Sequence, residues 1–220
     1  MTIKIAIATN CNFYKHSLPI ITESLVNAGI DLHDIHIFNT GFDQYRYEQY
    51  SSMHMHYLDH NSYEYSPLIT IVEKELKATY WFLIHDTCKV GSKFKELLYN
   101  IPNNLPEKVA LTTSPSMTIG TYRYDYLLSV KDRLLSIKNT DYSIESLMNW
   151  KKWGVPNEDY ILWRTEPSPA IYGDAAHHQV IDNLNWFGTG TIRRTEYFST
   201  LDLYKNKSNW GQSYDMVINI

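Results

Sequence analysis

Runs of consecutive apolar and β-branched residues recur along the first half of the chain and predict buried strands. Ile3 to Thr9 is one such run, Ile35 to Phe38 is a second, and Thr79 to Ile84 is a third without apolar and polar alternation. A strand that is apolar on both faces is typical of the centre of a parallel sheet. His54 to Leu58 predicts a further strand, whereas the polar, Tyr-rich stretch 43–50 predicts a loop.

Apolar residues at helical spacing separate these strands. Between the first two strands, Leu18, Ile21, Leu25 and Ala28 share one helical face, and Gly29 follows where a left-handed residue ends a helix. The same spacing predicts helices over residues 65–76, 92–101 with Ser92 as its cap, 124–137 and 144–151. Strands are also predicted at 109–111 and within 192–204. This alternation of strands and helices predicts an α/β fold with a mainly parallel central sheet.

Length and composition exclude several classes of protein. The 220 residues fit a single domain, and the formal net charge of -4 argues against a broad basic surface, so no nucleic-acid partner is expected. Two cysteines are too few for a disulfide framework, and the first residues lack the pattern of a secretion signal. These features predict a reducing, cytoplasmic location. No apolar run is long enough to predict a membrane span.

Polar side chains follow the predicted strands. Asn10, Asn12, Gly41 and Asp86 all come at the carboxyl ends of strands, where an open α/β sheet binds its ligands. A carboxylate in such a place can hold a divalent cation that neutralises a departing diphosphate. The alternative role for Asp86 is to cap a turn or the following helix. Position alone leaves both roles open.

The order of several short segments carries a resemblance to a known family. The segments are Ile5–Asn10, Leu25–Ile30, Ile35–Gly41, Asn61–Tyr65, Trp81–Thr87, Asp202–Lys205 and Asn209–Gly211. In this order they resemble nucleotide-sugar glycosyltransferases of the GT-A fold, particularly the small enzymes encoded by large DNA viruses and phages. The resemblance covers the first half of the chain well and the second half thinly. It implies a Rossmann-related, single glycosyltransferase-like domain over 1–220, with a nucleotide-sugar-binding half (1–115) and an acceptor-side half (116–220).

The resemblance also implies ligands and the residues that contact them. The donor is a UDP- or GDP-linked sugar, and the acceptor is a glycan or another hydroxyl compound. Thr9 and Asn10 are placed beside the base and ribose, and Asn61 and Glu64 are further donor-side candidates. For Asn61, capping of the following helix is an equally good interpretation.

The segment after the third strand departs from the family pattern. The family usually carries Asp-any-Asp here, whereas Asp86 is a lone acid flanked by His85 and Thr87. Ile84 and Cys88 occupy the two positions where the second acid could stand. The resemblance still places Asp86 at the diphosphate and metal, with His85 beside it.

Metal binding is therefore predicted with fewer protein ligands than the family supplies. The resemblance implies Mn or Mg held by Asp86, the donor phosphates, water and a later histidine, for which His178 is the candidate. Adjacent histidines point in different directions, so only one of His177 and His178 would serve. His54 and His56 alternate on a predicted strand and suggest zinc, but a third ligand at suitable spacing is missing.

The acceptor hydroxyl requires a general base in an inverting reaction, and a carboxylate or histidine must provide it. Asp174 lies in the region where the family carries that base, and Glu145 and Glu158 compete with it. Lys205 and Lys207 either close over the diphosphate or form a solvated basic turn.

Two other functions compete with glycosyl transfer. A sugar-phosphate nucleotidyltransferase would carry a Gly-rich loop with Arg and Lys after the first strand, and residues 10–14 contain none of these. A noncatalytic glycan-binding module is favoured by the missing second acid and by an aromatic content of 14%.

Overall fold

The structure is a computed structural model that describes residues 2–100, 107–111, 119–138, 170–171, 178–181 and 192–208. It forms a mixed α/β domain with an eight-stranded central sheet and a four-stranded second sheet. The strands are β1 (Ile3–Asn10), β2 (Ile35–Thr40), β3 (Arg46–Tyr50), β4 (Met53–Leu58), β5 (Tyr80–His85), β6 (Cys88–Val90), β7 (Lys108–Ala110), β8 (Gly120–Arg123), β9 (Ala170–Ile171), β10 (His178–Ile181), β11 (Ile192–Phe198) and β12 (Leu203–Ser208).

The central sheet is mostly parallel, as the sequence predicted. Its strand order is β3-β4-β2-β1-β5-β8-β7-β9. The four strands β4, β2, β1 and β5 are parallel, β3 and β8 run antiparallel to their neighbours, and β9 is parallel to β7. β1 lies at the centre, where Ile5 is in register with Ile35 of β2 and Phe82 of β5.

Helices cover both faces of this sheet. They are α1 (Tyr14–Asn27), α2 (Ser66–Glu73), α3 (Phe94–Tyr99), α4 (Tyr124–Ser129) and α5 (Lys131–Ser136), with short 3-10 turns at Leu32–Asp34 and Tyr63–Tyr65. α1 and α3 pack on the face that carries Ile5 and Ile7, and α2, α4 and α5 pack on the face that carries Ala6 and Trp81. Because both faces are covered, β1 and β5 are apolar along nearly their whole length. Gly29 has a φ of 85° and directly follows Ala28, the C-terminal cap residue of α1, as the sequence predicted.

The second sheet begins where β5 ends. Its order is β10-β11-β12-β6, and all its pairs are antiparallel. Only Asp86 and Thr87 separate β5 from β6, so the chain passes from one sheet to the other at the predicted site residue. The turn before β12 is fixed to the start of α3, since the Asp202 carboxylate accepts a hydrogen bond from the Lys93 backbone N–H at 3.0 Å.

Several predicted elements differ from the structure for physical reasons. Residues 43–50 were expected to form a loop, yet Arg46–Tyr50 is the edge strand β3. All five of its side chains are exposed, so it shows no apolar alternation. The helix expected over 124–137 is two helices that meet at Val130. The strand expected within 192–204 is the hairpin of β11 and β12.

Ser92 was expected to cap a helix, but α3 begins at Phe94 and its cap position is Lys93. The Asp202 carboxylate, from a distant part of the chain, accepts the Lys93 backbone N–H at that end of the helix. The helix expected over 144–151 lies outside the described residues. Within the described residues, no helix has both the length and the apolar character needed to cross a bilayer.

Candidate functional site

A cleft of about 420 Å³ opens at the carboxyl-terminal edge of the central sheet. It lies at the ends of β1, β2 and β5 and beside the segment that follows β4. The residues that line it are Ala8, Thr9, Asn10, Cys11, Asn12, Thr40, Gly41, Asn61, Glu64, His85, Asp86 and Thr87. From β1 the chain crosses to β2, which pairs with β1 on one side, and the later strand β5 pairs with β1 on the other side. Such a reversal of strand order opens a crevice that binds ligands in open α/β sheets.

The first wall of the cleft is the turn between β1 and α1. The Asn10 side-chain oxygen accepts the backbone N–H of Asn12 at 3.0 Å, and the backbone N–H of Cys11 donates to the Thr40 carbonyl at 2.8 Å. α1 begins two residues after Asn12, at Tyr14, with no side-chain cap and no acidic residue in its first turn. The N–H groups and dipole at a helix start favour a negatively charged ligand group.

Gly41 brings the end of β2 against this turn. Its φ is 95°, a backbone conformation that other residues adopt only with strain. A Cβ at this position would lie 2.6 Å from the Cys11 sulfur. The close approach of the two segments therefore requires glycine, and it brings the Cys11 thiol to the cleft wall.

Asp86 is buried at the base of the cleft. The residue is 8% exposed, and its Oδ2 accepts hydrogen bonds from the hydroxyls of Thr9 and Ser17, each at 2.6 Å. Burial raises the pKa of the Asp86 carboxyl, and the hydrogen bonds from Ser17 and Thr9 and the charge of Lys205 oppose that rise. The carboxyl group therefore joins the ends of β1 and β5 to α1.

Ser17 was not among the residues singled out from the sequence. It precedes Leu18 by one position and Ile21 by four, so it shares the buried face of α1 with Ile21. A serine on the apolar face of a helix must bond to a partner there, and that requirement was the available signal. The partner itself, Asp86, is 69 residues away and was not predictable from local sequence.

A second polar contact lies beside Asp86. The Lys205 ammonium on β12 donates a hydrogen bond to the Thr87 hydroxyl, and the backbone N–H of Asn206 donates to the Thr87 carbonyl at 3.0 Å. Lys205 is 8% exposed. A buried lysine thus adjoins the lone carboxylate at the junction of the two sheets.

The described residues contain no group of three or more His, Cys, Asp or Glu side chains that could hold a metal ion. Asp86 and Glu64 are the two acids among the residues that line the cleft. Oδ2 of Asp86 is already engaged by two hydroxyl donors. A hard cation takes about six or more oxygen ligands, so most would have to come from donor phosphates and water. The protein residues described here do not by themselves form a cation site.

The predicted donor-side residues are brought together by the fold. All six of them line the same cleft, and they are Thr9, Asn10, Asn61, Glu64, His85 and Asp86. The alternative role for Asn61 as the cap of α2 does not occur, because α2 begins at Ser66 and its cap position is Tyr65. The assignment of individual residues to base, ribose and phosphate stays a prediction.

The predicted acceptor-side residues are not placed. Asp174, its competitors Glu145 and Glu158, and His177 lie outside the described residues. His178 begins β10, of which the backbone is described. The proposed base and the proposed histidine ligand therefore stay predictions.

The histidines that suggested zinc belong to a hydrogen-bonded cluster on β2 and β4, away from the residues that line the cleft. His36 Nδ1 lies 3.1 Å from His56 Nε2, and His56 Nδ1 lies 3.1 Å from the Tyr45 hydroxyl. The Lys4 ammonium, which can only donate, lies 3.5 Å from His36 Nε2. Because Nε2 of a neutral His36 accepts from Lys4, the His36 proton lies on Nδ1 and is donated to Nε2 of His56. The proton of a neutral His56 therefore lies on its Nδ1, which faces the Tyr45 hydroxyl. His54 stacks on His36 with ring centroids 4.1 Å apart.

Burial is the main cause that keeps this cluster neutral. It lowers the pKa of His36 to about 2 and that of His56 to about 4, with His54 and Lys4 contributing by charge repulsion. His36 is 4% exposed and His56 is 1% exposed. His36 and His56 are thus part of the buried interior, and no sequence pattern identified His36 as the centre of the cluster.

Comparison with known proteins does not assign a family. No protein-family model matches the chain, and no curated protein matches it. The resemblance to GT-A glycosyltransferases rests on the segments quoted above and stays a prediction.

Proposed function

We propose that this chain is a glycosyltransferase that binds a nucleoside-diphosphate sugar in the cleft at the ends of β1, β2 and β5. The observation that carries the proposal is the position of the cleft at the reversal of strand order. Its volume of about 420 Å³ falls within the range of about 300–1,000 Å³ for small-molecule sites. The six residues expected on the donor side from sequence all line it.

The walls of the cleft offer different chemistry to the parts of such a ligand. Asn10, Asn12 and Asn61 carry amide groups that can donate and accept hydrogen bonds with a base or ribose. The uncapped start of α1 favours the diphosphate. These features support a ligand that is polar along its length and anionic at one position.

In the proposed reaction an acceptor hydroxyl oxygen forms a bond to the anomeric carbon of the donor sugar. The bond from that carbon to the diphosphate oxygen breaks, and the nucleoside diphosphate leaves with the electron pair. In an inverting reaction a general base takes the hydroxyl proton, and Asp174 is the proposed base. The division into a donor half (1–115) and an acceptor half (116–220) belongs to the same proposal. In family members that carry both acids, Mn or Mg neutralises the leaving diphosphate. Here Asp86 is the protein residue that would hold such an ion, together with donor phosphates and water.

Calorimetric titration with UDP, GDP and their sugar conjugates tests the proposal. We expect one nucleotide series to bind, and at a hundred times its dissociation constant to stabilise the fold by about 2.7 kcal/mol. Asn12→Trp, at the exposed rim of the cleft, should abolish binding, because the indole fills the cleft. Asn27→Trp, at the exposed end of α1, is the matched control and should bind as the natural protein does.

The same samples separate the competing functions. Release of a nucleoside diphosphate from a sugar nucleotide supports glycosyl transfer. Release of pyrophosphate from a nucleoside triphosphate and a sugar phosphate identifies a nucleotidyltransferase instead. Binding of oligosaccharides without binding of any nucleotide identifies a glycan-binding module and refutes the proposal.

A further inference from the structure

Lys205 places a buried ammonium beside Thr87, one of the residues that line the cleft. It lies on β12 in register with Cys88 of β6, and its ammonium donates to the hydroxyl of Thr87, which lines the cleft beside Asp86. The position is fixed on both sides, because β12 pairs with β6 as well as with β11. The lysine is thus held by the second sheet and directed at the junction with the first.

The Lys205 ammonium keeps unused hydrogen-bond donors in the part of the chain that the structure describes, although the buried side chain of Glu196 lies opposite it in the pairing of β11 with β12. An ammonium has three N–H donors, and one acceptor, the Thr87 hydroxyl, is present for Lys205. It forms no ion pair with a carboxylate of the described residues. Buried charges are normally paired, so a group with unused donors beside a cleft is suited to an anionic ligand.

The neighbouring carboxylate does not remove this capacity. Asp86 accepts two hydroxyl hydrogen bonds at Oδ2, from Thr9 and Ser17, rather than a direct contact from Lys205. The charge of Lys205 acts on Asp86 only by opposing the rise that burial causes in the pKa of that carboxyl. Asp86 therefore leaves the remaining N–H donors of the buried lysine unoccupied.

We propose that the Lys205 ammonium binds the diphosphate of the sugar nucleotide and supplies the positive charge that a divalent cation would otherwise supply. The inference rests on the proposed function of the cleft. As the bond between the anomeric carbon and the diphosphate breaks, negative charge collects on the leaving oxygen. Lys205 stabilises that charge by hydrogen bonding and takes no part in the proton transfer.

The departure from the family pattern at Cys88 is consistent with this role. Cys88 stands where a second acid of the Asp-any-Asp pattern could be, and its cross-strand partner on β12 is Lys205. The junction therefore lacks the second carboxylate of the family pattern and carries a lysine next to that position.

Calorimetric titration of the full chain with UDP and GDP, in EDTA and in Mn, is the first test. We expect the dissociation constant of the nucleotide that binds to differ by less than about 3-fold between the two conditions, because the bound charge is neutralised by protein. Binding that appears only with Mn would overturn the inference while leaving the proposed function intact. No binding of either nucleotide in either condition would refute the proposed function, and the inference with it.

Substitution of the lysine is the second test. Lys205→Met should weaken binding of the nucleoside diphosphate by about 10- to 100-fold, the effect of losing a charge-assisted hydrogen bond. It should leave binding of the corresponding nucleoside, which lacks phosphate, within about 3-fold. Lys205→Arg should restore part of the loss. Lys89→Met is the matched control, because Lys89 is exposed on β6 beside the same junction, and it should bind normally.

A purely structural lysine gives a different result. If Lys205 only supports the junction, Lys205→Met weakens nucleoside and nucleoside diphosphate equally, and that result overturns the inference. Should Lys205→Met fail to fold, the comparison of EDTA with Mn on the natural protein still decides the question, since it needs no variant.

Discussion

Replacing Ser17 with alanine tests how the base of the cleft is held together. The Ser17 hydroxyl is buried, donates to Asp86 Oδ2 at 2.6 Å and lies 3.1 Å from the Phe13 carbonyl. A hydrogen bond to a charged group contributes about 1.5–3 kcal/mol to stability. We therefore expect Ser17→Ala to lower the free energy of unfolding by about 2 kcal/mol. For a chain of this size that corresponds to a fall in Tm of about 4–8 °C.

The loss should depend on pH because the bond acts on the ionised carboxyl. The Ser17 hydroxyl opposes the rise that burial causes in the pKa of Asp86, so its removal should raise that pKa further. A carboxyl whose folded-state pKa is raised contributes stability below its unfolded pKa of 3.8 and loses it as pH rises through the folded value. The difference between Ser17→Ala and the natural protein should therefore be largest at neutral pH and shrink in acid.

Urea unfolding at pH 7.5 and at several lower pH values is the assay. Thr22→Ala is the matched control, because Thr22 lies on the same helix, is partly exposed and donates to the Leu18 carbonyl at 2.6 Å within the helix. Its effect should stay within about 0.5 kcal/mol. Equal stability of the two variants at pH 7.5 would refute the role given to the Asp86 carboxyl.

Three further predictions concern the histidine cluster and the cleft wall. Burial lowers the pKa of His36 to about 2 and that of His56 to about 4, so the free energy of unfolding should fall as pH drops below 6.5, by up to about 2.7 kcal/mol per pH unit for two protons. A urea midpoint that stays constant between pH 7 and pH 5 would contradict this. N-ethylmaleimide should alkylate Cys11, bound nucleotide should protect Cys11 from it, and buried Cys88 should stay unmodified in mass spectra. Labelling of Cys11 that nucleotide does not change would count against nucleotide binding in the cleft. Gly41→Ala should lower the free energy of unfolding by about 1–3 kcal/mol, and adding Cys11→Ala should recover part of this loss because the sulfur no longer blocks the new Cβ. Equal stability of the single and double variants would show that the contact is unimportant.

The strands buried on both faces were the most predictable part of the fold. β1 and β5 are central, and their residues are apolar because helices cover each side, so composition alone identifies them. β3 was missed because an exposed edge strand needs no apolar face. β6 was missed because its three residues are too few to show a pattern. The sequence pattern thus reports burial over several consecutive residues, and it does not identify strands that are exposed or very short.

The predictable part of the site follows from the geometry of parallel strands. Their carboxyl ends meet at one edge, so residues such as Thr9 and Asp86 had to lie close together. The contact of Lys205 with Thr87 joins residues 118 positions apart through the second sheet, and no local signal encodes it. The hydrogen bonds that bury the Asp86 carboxyl likewise depend on tertiary packing of α1.

A crystal structure of the protein with a bound nucleoside diphosphate tests the central claim most directly. The nucleotide should occupy the cleft between the ends of β1 and β5, with its phosphates within hydrogen-bonding distance of the Lys205 ammonium and near Thr87. A nucleotide bound elsewhere on the molecule, or one whose phosphates point away from this junction, would contradict the claim.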